Sequence, residues 1–220
     1  MDATLVASEK KKEKKAPPML YNLAELQNDC SSLFKISPSD TLKIVQELYE
    51  KKLVTYPRTD ARVLSTAVAK EIYKHISGLK RYTPMAAYAD EVLNMGSYKT
   101  IAKTKYVNDK QITDHYAIIP TGQGMGALRG LSEIAANVYE IICRRFLSIF
   151  YPAAEYQKLS MTLAKQDEFL FANFKYMLKE GYLKVATNRF ARKKDDTKYN
   201  PEFIETIGHL KKGDILSLDK

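Results

Sequence analysis

The chain contains one stretch whose residue types and order suit covalent chemistry: Leu53-Val54-Thr55-Tyr56-Pro57-Arg58-Thr59-Asp60-Ala61-Arg62. A tyrosine phenol is a poor nucleophile at neutral pH because its pKa is about 10. It becomes a good one when a cation stabilises the phenolate and the transition state. Arg58 follows Tyr56 by two residues, and its planar fork matches the oxygens of a phosphate. The same residues also suit a strand end with a half-buried tyrosine and an arginine in water. Taken alone, the stretch leaves both readings open.

A second stretch, residues 108–121, runs Asn-Asp-Lys-Gln-Ile-Thr-Asp-His-Tyr-Ala-Ile-Ile-Pro-Thr. His115 by itself reads as a structural histidine. Together the two stretches resemble type IA DNA topoisomerases, most closely the topoisomerase III branch. That family carries its nucleophile in Tyr-x-Arg-Thr/Ser-Asp, matched by Tyr56, Arg58, Thr59 and Asp60. It carries a neighbouring histidine in Asp-His-x-Ala-Ile-x-Pro-Thr, matched by Asp114, His115, Ala117, Ile118, Pro120 and Thr121. Pro17-Pro18-Met19-Leu20-Tyr21-Asn22-Leu23, with Leu26-Gln27 behind it, resembles the opening of the family's tyrosine-bearing domain. The close resemblance covers roughly residues 17 to 121.

The resemblance implies a set of roles. Tyr56 is the nucleophile toward single-stranded DNA, and Arg58 stabilises the charged phosphorus centre. His115 holds a neighbouring backbone phosphate, with Asp60 orienting its ring or favouring its imidazolium. Thr59, Asp60, Lys110 and Asp114 contact DNA. The parent is an isomerase that needs no ATP and is cytoplasmic, associated with the nucleoid. Its Mg²⁺ belongs to an acidic domain, so neither a metal ligand nor a cofactor is assigned to this chain. The acidic domain, with its Asp-x-Asp, and the domain holding the DNA groove have no counterpart here. They are the expected intramolecular partners, and the chain reads as a fragment, inactive alone. Ala61, where serine is frequent, and Tyr116, where another histidine often stands, depart from the pattern. Both departures bear on DNA placement and neither touches the nucleophile.

Composition bounds the rest. A chain of 220 residues can bury one sizeable core, or a core plus a small module. A formal net charge of +9 suits a polyanionic partner. No apolar run is long enough to span a membrane. The first residues lack a signal peptide's basic head and apolar core. Cys30 and Cys143 are solitary, and His75, His115 and His209 are scattered, so neither a disulfide framework nor a zinc site is expected.

The elements that must position the tyrosine follow from periodicity. A short strand is expected near Ala3–Ala7, then a solvated linker over Glu9–Lys15, whose five lysines and two glutamates give +3. Pro17-Pro18 is extended. Helices are expected at Asn22–Phe34, from the Ser37 cap onward with Leu42, Val45, Leu48 and Tyr49 as a core face, from Ser65 to Gly78, from Thr83 to about Leu93, and at Ser132–Phe150. His75 is expected to be structural or exposed, and residues 97–107 loop or irregular strand. Gly122, Gly124, Gly126 and Gly130 read as a flexible linker, since no phosphate-loop pattern surrounds them. Arg144-Arg145 suit dipole compensation or a phosphate contact. Alternation predicts a hairpin around Lys165–Glu168 and further strands at Gly181–Val185 and Ile215–Leu218, with a polar stretch over Arg189–Lys198 between them.

The expected fold is therefore mostly α with a smaller β module, an α+β chain. Residues 17–152 form the helical tyrosine domain. Residues 1–16 and 153–220 contribute strand, basic linker and the β-rich part of the family's gate domain. Other nucleophilic-tyrosine classes fit poorly. A tyrosine recombinase needs His-x-x-Arg ahead of a late tyrosine, and a rolling-circle relaxase needs a His-hydrophobic-His motif; neither motif occurs. A non-catalytic basic module that stacks and contacts single-stranded DNA remains the alternative.

Overall fold

The computed structural model describes residues 2–191 and 199–217. Residues 192–198 of the expected polar stretch, and Leu218 of the expected last strand, lie outside the described residues. Two units are present: Pro17–Pro152 with Tyr182–Arg192, and Met1–Ala16 with Ala153–Gly181 and Lys193–Lys220. The first is helical and the second is built on a sheet, giving an α+β fold. Tyr182–Arg192 fall in the helical unit, although the sequence reading puts all of 153–220 in the β module.

In the helical unit, α1 spans Leu23–Phe34, α2 Pro38–Glu50, α3 Thr66–Gly78, α4 Thr83–Met95 and α5 Glu133–Ser148. Four of these start on the side chains that sequence suggests. Asn22, Ser37, Ser65 and Ser132 each accept from a main-chain N–H three residues on, satisfying a donor that the first turn leaves over. The buried stripes are Leu26 and Cys30 on α1, Val45 and Leu48 on α2, Ile72 and Ile76 on α3, and Val138, Ile142 and Phe146 on α5. Cys30 and Cys143 are free and buried. Burial pushes the Cys30 thiol up to about 12, which leaves it unreactive.

Several expectations change in this unit, among them Ser97–Lys103, a 3₁₀ helix where loop or irregular strand is expected. Leu183–Ala186 is a short helix, α6, and not the strand that alternation suggests. Its carbonyls serve local turns, and the Arg144 guanidinium takes the Val185 and Thr187 carbonyls at 2.9 and 3.2 Å. Arg145 likewise makes internal bonds, to Met19 O at 3.0 Å and Asp29 at 2.9 Å. Both arginines thus hold the fold through internal bonds, and Arg145, in the last turn of α5, also places its charge where it opposes the helix dipole. The glycine stretch is packed. Gly122 and Gly124 adopt φ of +75° and +72°. A Cβ at Gly78 would meet Gly122 O at 2.0 Å, and one at Gly124 would meet Lys51 O at 2.5 Å. Within this stretch Gly126 and Gly130, in the 3₁₀ helix Met125–Gly130, face open space.

In the second unit, β1 spans Asp2–Lys15, β2 Ala154–Lys165, β3 Glu168–Lys179 and β4 Ile215–Ser217, in sheet order β3-β2-β1-β4. The β2–β3 hairpin turns at Gln166, φ 54°. The charged run Glu9–Lys15 is strand and not linker. It pairs antiparallel with β2 from Glu9↔Ser160 to Lys15↔Ala154. Glu13 bridges Lys158 at 2.6 Å and Lys175 at 3.4 Å, which offsets the like charge of Lys11 opposite Lys158 in the ladder. Ala3, Leu5, Leu159, Met161 and Leu163 form the buried face with Ile207 of α7, Pro201–His209, a helix beyond those that periodicity predicts.

Candidate active site

The Tyr56 stretch begins where α2 reverses. Lys52 takes the left-handed conformation, φ 61°. Its N–H donates to Tyr49 O at 2.8 Å, and the Leu53 N–H donates to Leu48 O at 2.9 Å. This double bond pattern closes a helix and turns the chain back. Leu53–Thr55 then run antiparallel to Ile119–Thr121. Thr55 N–H donates to Ile119 O and Thr121 N–H to Leu53 O, both at 3.0 Å. The Thr55 hydroxyl adds two links, donating to Ala117 O and accepting from Ile119 N–H, both at 3.0 Å.

The second stretch is held from every side. Ile118 N–H donates to Tyr21 O at 2.8 Å, and Ala117 N–H donates to Val63 O at 3.0 Å. His75 faces the Pro120 carbonyl through Nδ1 at 3.0 Å. A carbonyl can only accept, so Nδ1 carries the proton there. His75 is thus structural, an anchor for the second motif from α3. Ala117, Ile118 and Ile119 are buried, which accounts for the apolar part of that motif. The opening segment is clamped as well: Arg62 Nε donates to Leu20 O at 3.1 Å, and the Tyr106 hydroxyl to Pro17 O at 2.6 Å.

What this scaffold leaves open is the chemistry. Tyr56 is half-buried, and its ring lies against the His115 ring, centroids 4.4 Å apart and planes tilted by 43°. On another side the Tyr49 ring meets it edge-on at 5.3 Å. Tyr49 is 39% exposed, so it is not part of the core face of α2 as its spacing suggests. Arg58 and His115 are exposed. Among the described residues the Arg58 guanidinium has no hydrogen bond or ion pair, which leaves its fork open to a ligand.

The remaining expected residues divide. Thr59 is 8% exposed, and its hydroxyl donates to His115 O at 3.0 Å and accepts from Ala61 N–H at 3.1 Å. Its hydroxyl is engaged within the protein, so Thr59 acts by joining the two motifs. Asp60 and Asp114 are exposed. Among the described residues no hydrogen bond or ion pair joins Asp60 to His115; the Asp60 carbonyl instead accepts from Asn22 Nδ2 at 3.2 Å. Lys110 is exposed in the 3₁₀ turn Asp109–Gln111, with no bond to Tyr56, Arg58 or His115 among the described residues. Tyr116 is half-buried, and burial raises its phenol pKa. Sequence reasoning missed Thr55 as a positioning group, and its reading of His75 as structural or exposed is met by the bond to Pro120, a partner it did not name. The contacts of Thr55 and His75 are with residues 62 and 45 positions away, which no local pattern encodes.

Among the described residues, no three His, Cys, Asp or Glu side chains come together as a metal site. Nor is any helix long and apolar enough to cross a membrane.

Comparison with known proteins adds the following. The family model described as DNA topoisomerase matches residues 1–220. The chain is similar to DNA topoisomerase 3 of Bacillus cereus, 34% identical over 99% of this chain and 29% of the relative. It is similar to DNA topoisomerase 3 of Bacillus subtilis, 35% identical over 97% of this chain and 28% of the relative. The chain therefore spans under a third of the length of these relatives. Among solved structures, full-length topoisomerase I from Thermotoga maritima shares the fold, with a TM-score of 0.62 and 21% identity over 98% of this chain and 32% of that one.

Proposed function

Because the chain belongs to the type IA DNA topoisomerase family, we propose that it is the part of such an enzyme that cleaves and rejoins single-stranded DNA through Tyr56. The Tyr56 oxygen attacks the phosphorus of a backbone phosphodiester and forms a phosphotyrosyl ester with the 5′ phosphate. The bond from phosphorus to the 3′ oxygen breaks, and that oxygen leaves as a hydroxyl while the phenol loses its proton. Attack by the same hydroxyl reverses the step. One phosphoester is exchanged for another, so no ATP is consumed.

The observation that carries this reading is the packing of the His115 ring on Tyr56 at 4.4 Å, with the open Arg58 two residues beyond the phenol. Arg58 would meet charge that develops on the phosphate oxygens, where a fixed donor counts most. His115, when protonated, would hold an adjacent backbone phosphate. Asp60, Lys110 and Asp114 would border the path of the strand, and Thr59 would keep the two motifs in register. We assign no Mg²⁺ ligand to these residues. The Mg²⁺ of the whole enzyme would be held by a separate acidic domain, and no step is routed through it. A DNA-groove domain would be the other intramolecular partner. The setting would be the cytoplasm, on nucleoid DNA. The 220 residues alone would not relax supercoiled DNA.

The test is trapping of a labelled single-stranded oligonucleotide on denaturing gels, using the full-length enzyme that carries this chain. Wild type forms a denaturant-resistant adduct and Tyr56→Phe forms none, while oligonucleotide affinity is retained. An adduct in Tyr56→Phe moves the nucleophile elsewhere. Binding with no adduct in wild type favours the non-catalytic DNA-binding alternative.

A further inference from the structure

We propose that Tyr49 is a positioning residue for the nucleophile, holding the plane of the Tyr56 ring and so the direction of its hydroxyl. The inference rests on the reading of Tyr56 as nucleophile and adds a residue outside both motifs.

Three observations lead to it. First, Tyr49 does not serve the core. The buried stripe of α2 is Thr41, Val45 and Leu48, whereas Tyr49 is 39% exposed. Second, the chain reversal at Lys52 is anchored on the Tyr49 carbonyl, 2.8 Å from the Lys52 N–H. The last turn of α2 and the Tyr56 stretch are thereby tied to the same point. Third, Tyr56 has ring neighbours in two directions. His115 packs at 4.4 Å with a 43° tilt, and Tyr49 packs at 5.3 Å with an 80° interplanar angle. Edge-to-face pairs match the positive edge of one ring to the negative face of the other, so their geometry is directional. Two differently oriented ring contacts restrict both side-chain torsions of Tyr56. A nucleophile reacts fastest when its oxygen is already aimed at phosphorus. His115 alone cannot supply that restraint during reaction, because the proposed reading also asks it to hold phosphate.

Single-turnover cleavage of a labelled single-stranded oligonucleotide by the full-length enzyme tests this, with affinity and pH profile measured alongside. Tyr49→Phe, which keeps the ring, cleaves at the wild-type rate. Tyr49→Leu cleaves about 3–10-fold more slowly, the effect of losing one aromatic pair. Its affinity for the oligonucleotide and the shape of its pH profile stay unchanged. Should Tyr49→Leu lower the melting temperature, Tyr49→Met, unbranched and flexible, replaces it and is expected to show the same slowing. A wild-type rate in the folded ringless variant overturns the proposal. So does weakening of affinity in proportion to rate, which would make Tyr49 a base-stacking platform, or a Phe variant as slow as the Leu one. Tyr56→Phe runs in parallel: an adduct there defeats the nucleophile reading itself, independently of what Tyr49 variants do.

Discussion

The Thr59 hydroxyl donates to the His115 main-chain carbonyl across 3.0 Å, tying the residue three beyond Tyr56 to the residue whose ring packs on Tyr56. The same oxygen accepts from the Ala61 N–H at 3.1 Å. One buried hydroxyl thus closes the loop of the first motif and fixes the second motif against it.

Thr59→Val keeps the shape and removes both bonds. It leaves a carbonyl and an N–H without partners in a buried setting, at a cost of about 1–3 kcal/mol. Urea denaturation should show a lowered midpoint with an unchanged slope. Thr59→Ser keeps the hydroxyl and should stay near wild type, and an equal loss in both variants would point to the lost methyl.

Gly78→Ala should destabilise the helical unit by at least about 2 kcal/mol, because main chain cannot give way as a side chain can. Its Cβ would sit 2.0 Å from Gly122 O. Gly126→Ala, where a Cβ meets nothing within 4 Å, is the control and should stay within about 0.5 kcal/mol. Thermal melts of the two variants side by side decide the matter.

Asp109 gives a pH signature. Its carboxylate accepts from the Thr66 hydroxyl at 2.6 Å and the Thr66 N–H at 2.8 Å, and these bonds hold its pKa below the usual carboxylate range. A lowered folded pKa means that the ionised form favours the folded state. The contribution is complete above the unfolded value of about 3.9 and is lost as pH falls through the folded value. The stability gap between wild type and Asp109→Asn should therefore be widest near neutrality and shrink in acid. A gap that is constant across that range would show that the charge is immaterial.

For Arg58, the expected loss is in rate. Arg58→Ala in the full-length enzyme should slow adduct formation by roughly 10²–10³-fold, the range for removing one transition-state donor. Arg58→Lys should fall between, since an ammonium supplies charge without the planar fork. Oligonucleotide binding by both variants should weaken only modestly, with part of the salt dependence lost in Arg58→Ala and retained in Arg58→Lys. Full adduct yield at the wild-type rate in Arg58→Ala would remove this residue from the reaction.

Much of the architecture was legible in the sequence because its determinants are local. Asn22, Ser37, Ser65 and Ser132 start helices through bonds to N–H groups three residues on, and the β2–β3 hairpin follows from alternation around a tight turn. The meeting of Tyr56 with His115 was likewise readable from two short motifs. What only the tertiary structure decided are relations between distant residues. Glu9–Lys15 reads as a solvated linker, yet β2 supplies its ladder partners, making it an exposed strand. Gly122 reads as linker, yet its φ of +75° and the approach of Gly78 make it a packing point. Thr55 and His75 carry no signal of the partners they hold, and each acquires its role from what the fold brings alongside. Capping and periodicity act within a few residues of chain, so sequence specifies them. Hydrogen bonds such as Thr55 to Ala117 exist only after residues 62 positions apart have met, and that meeting is decided by the packing of the whole helical unit.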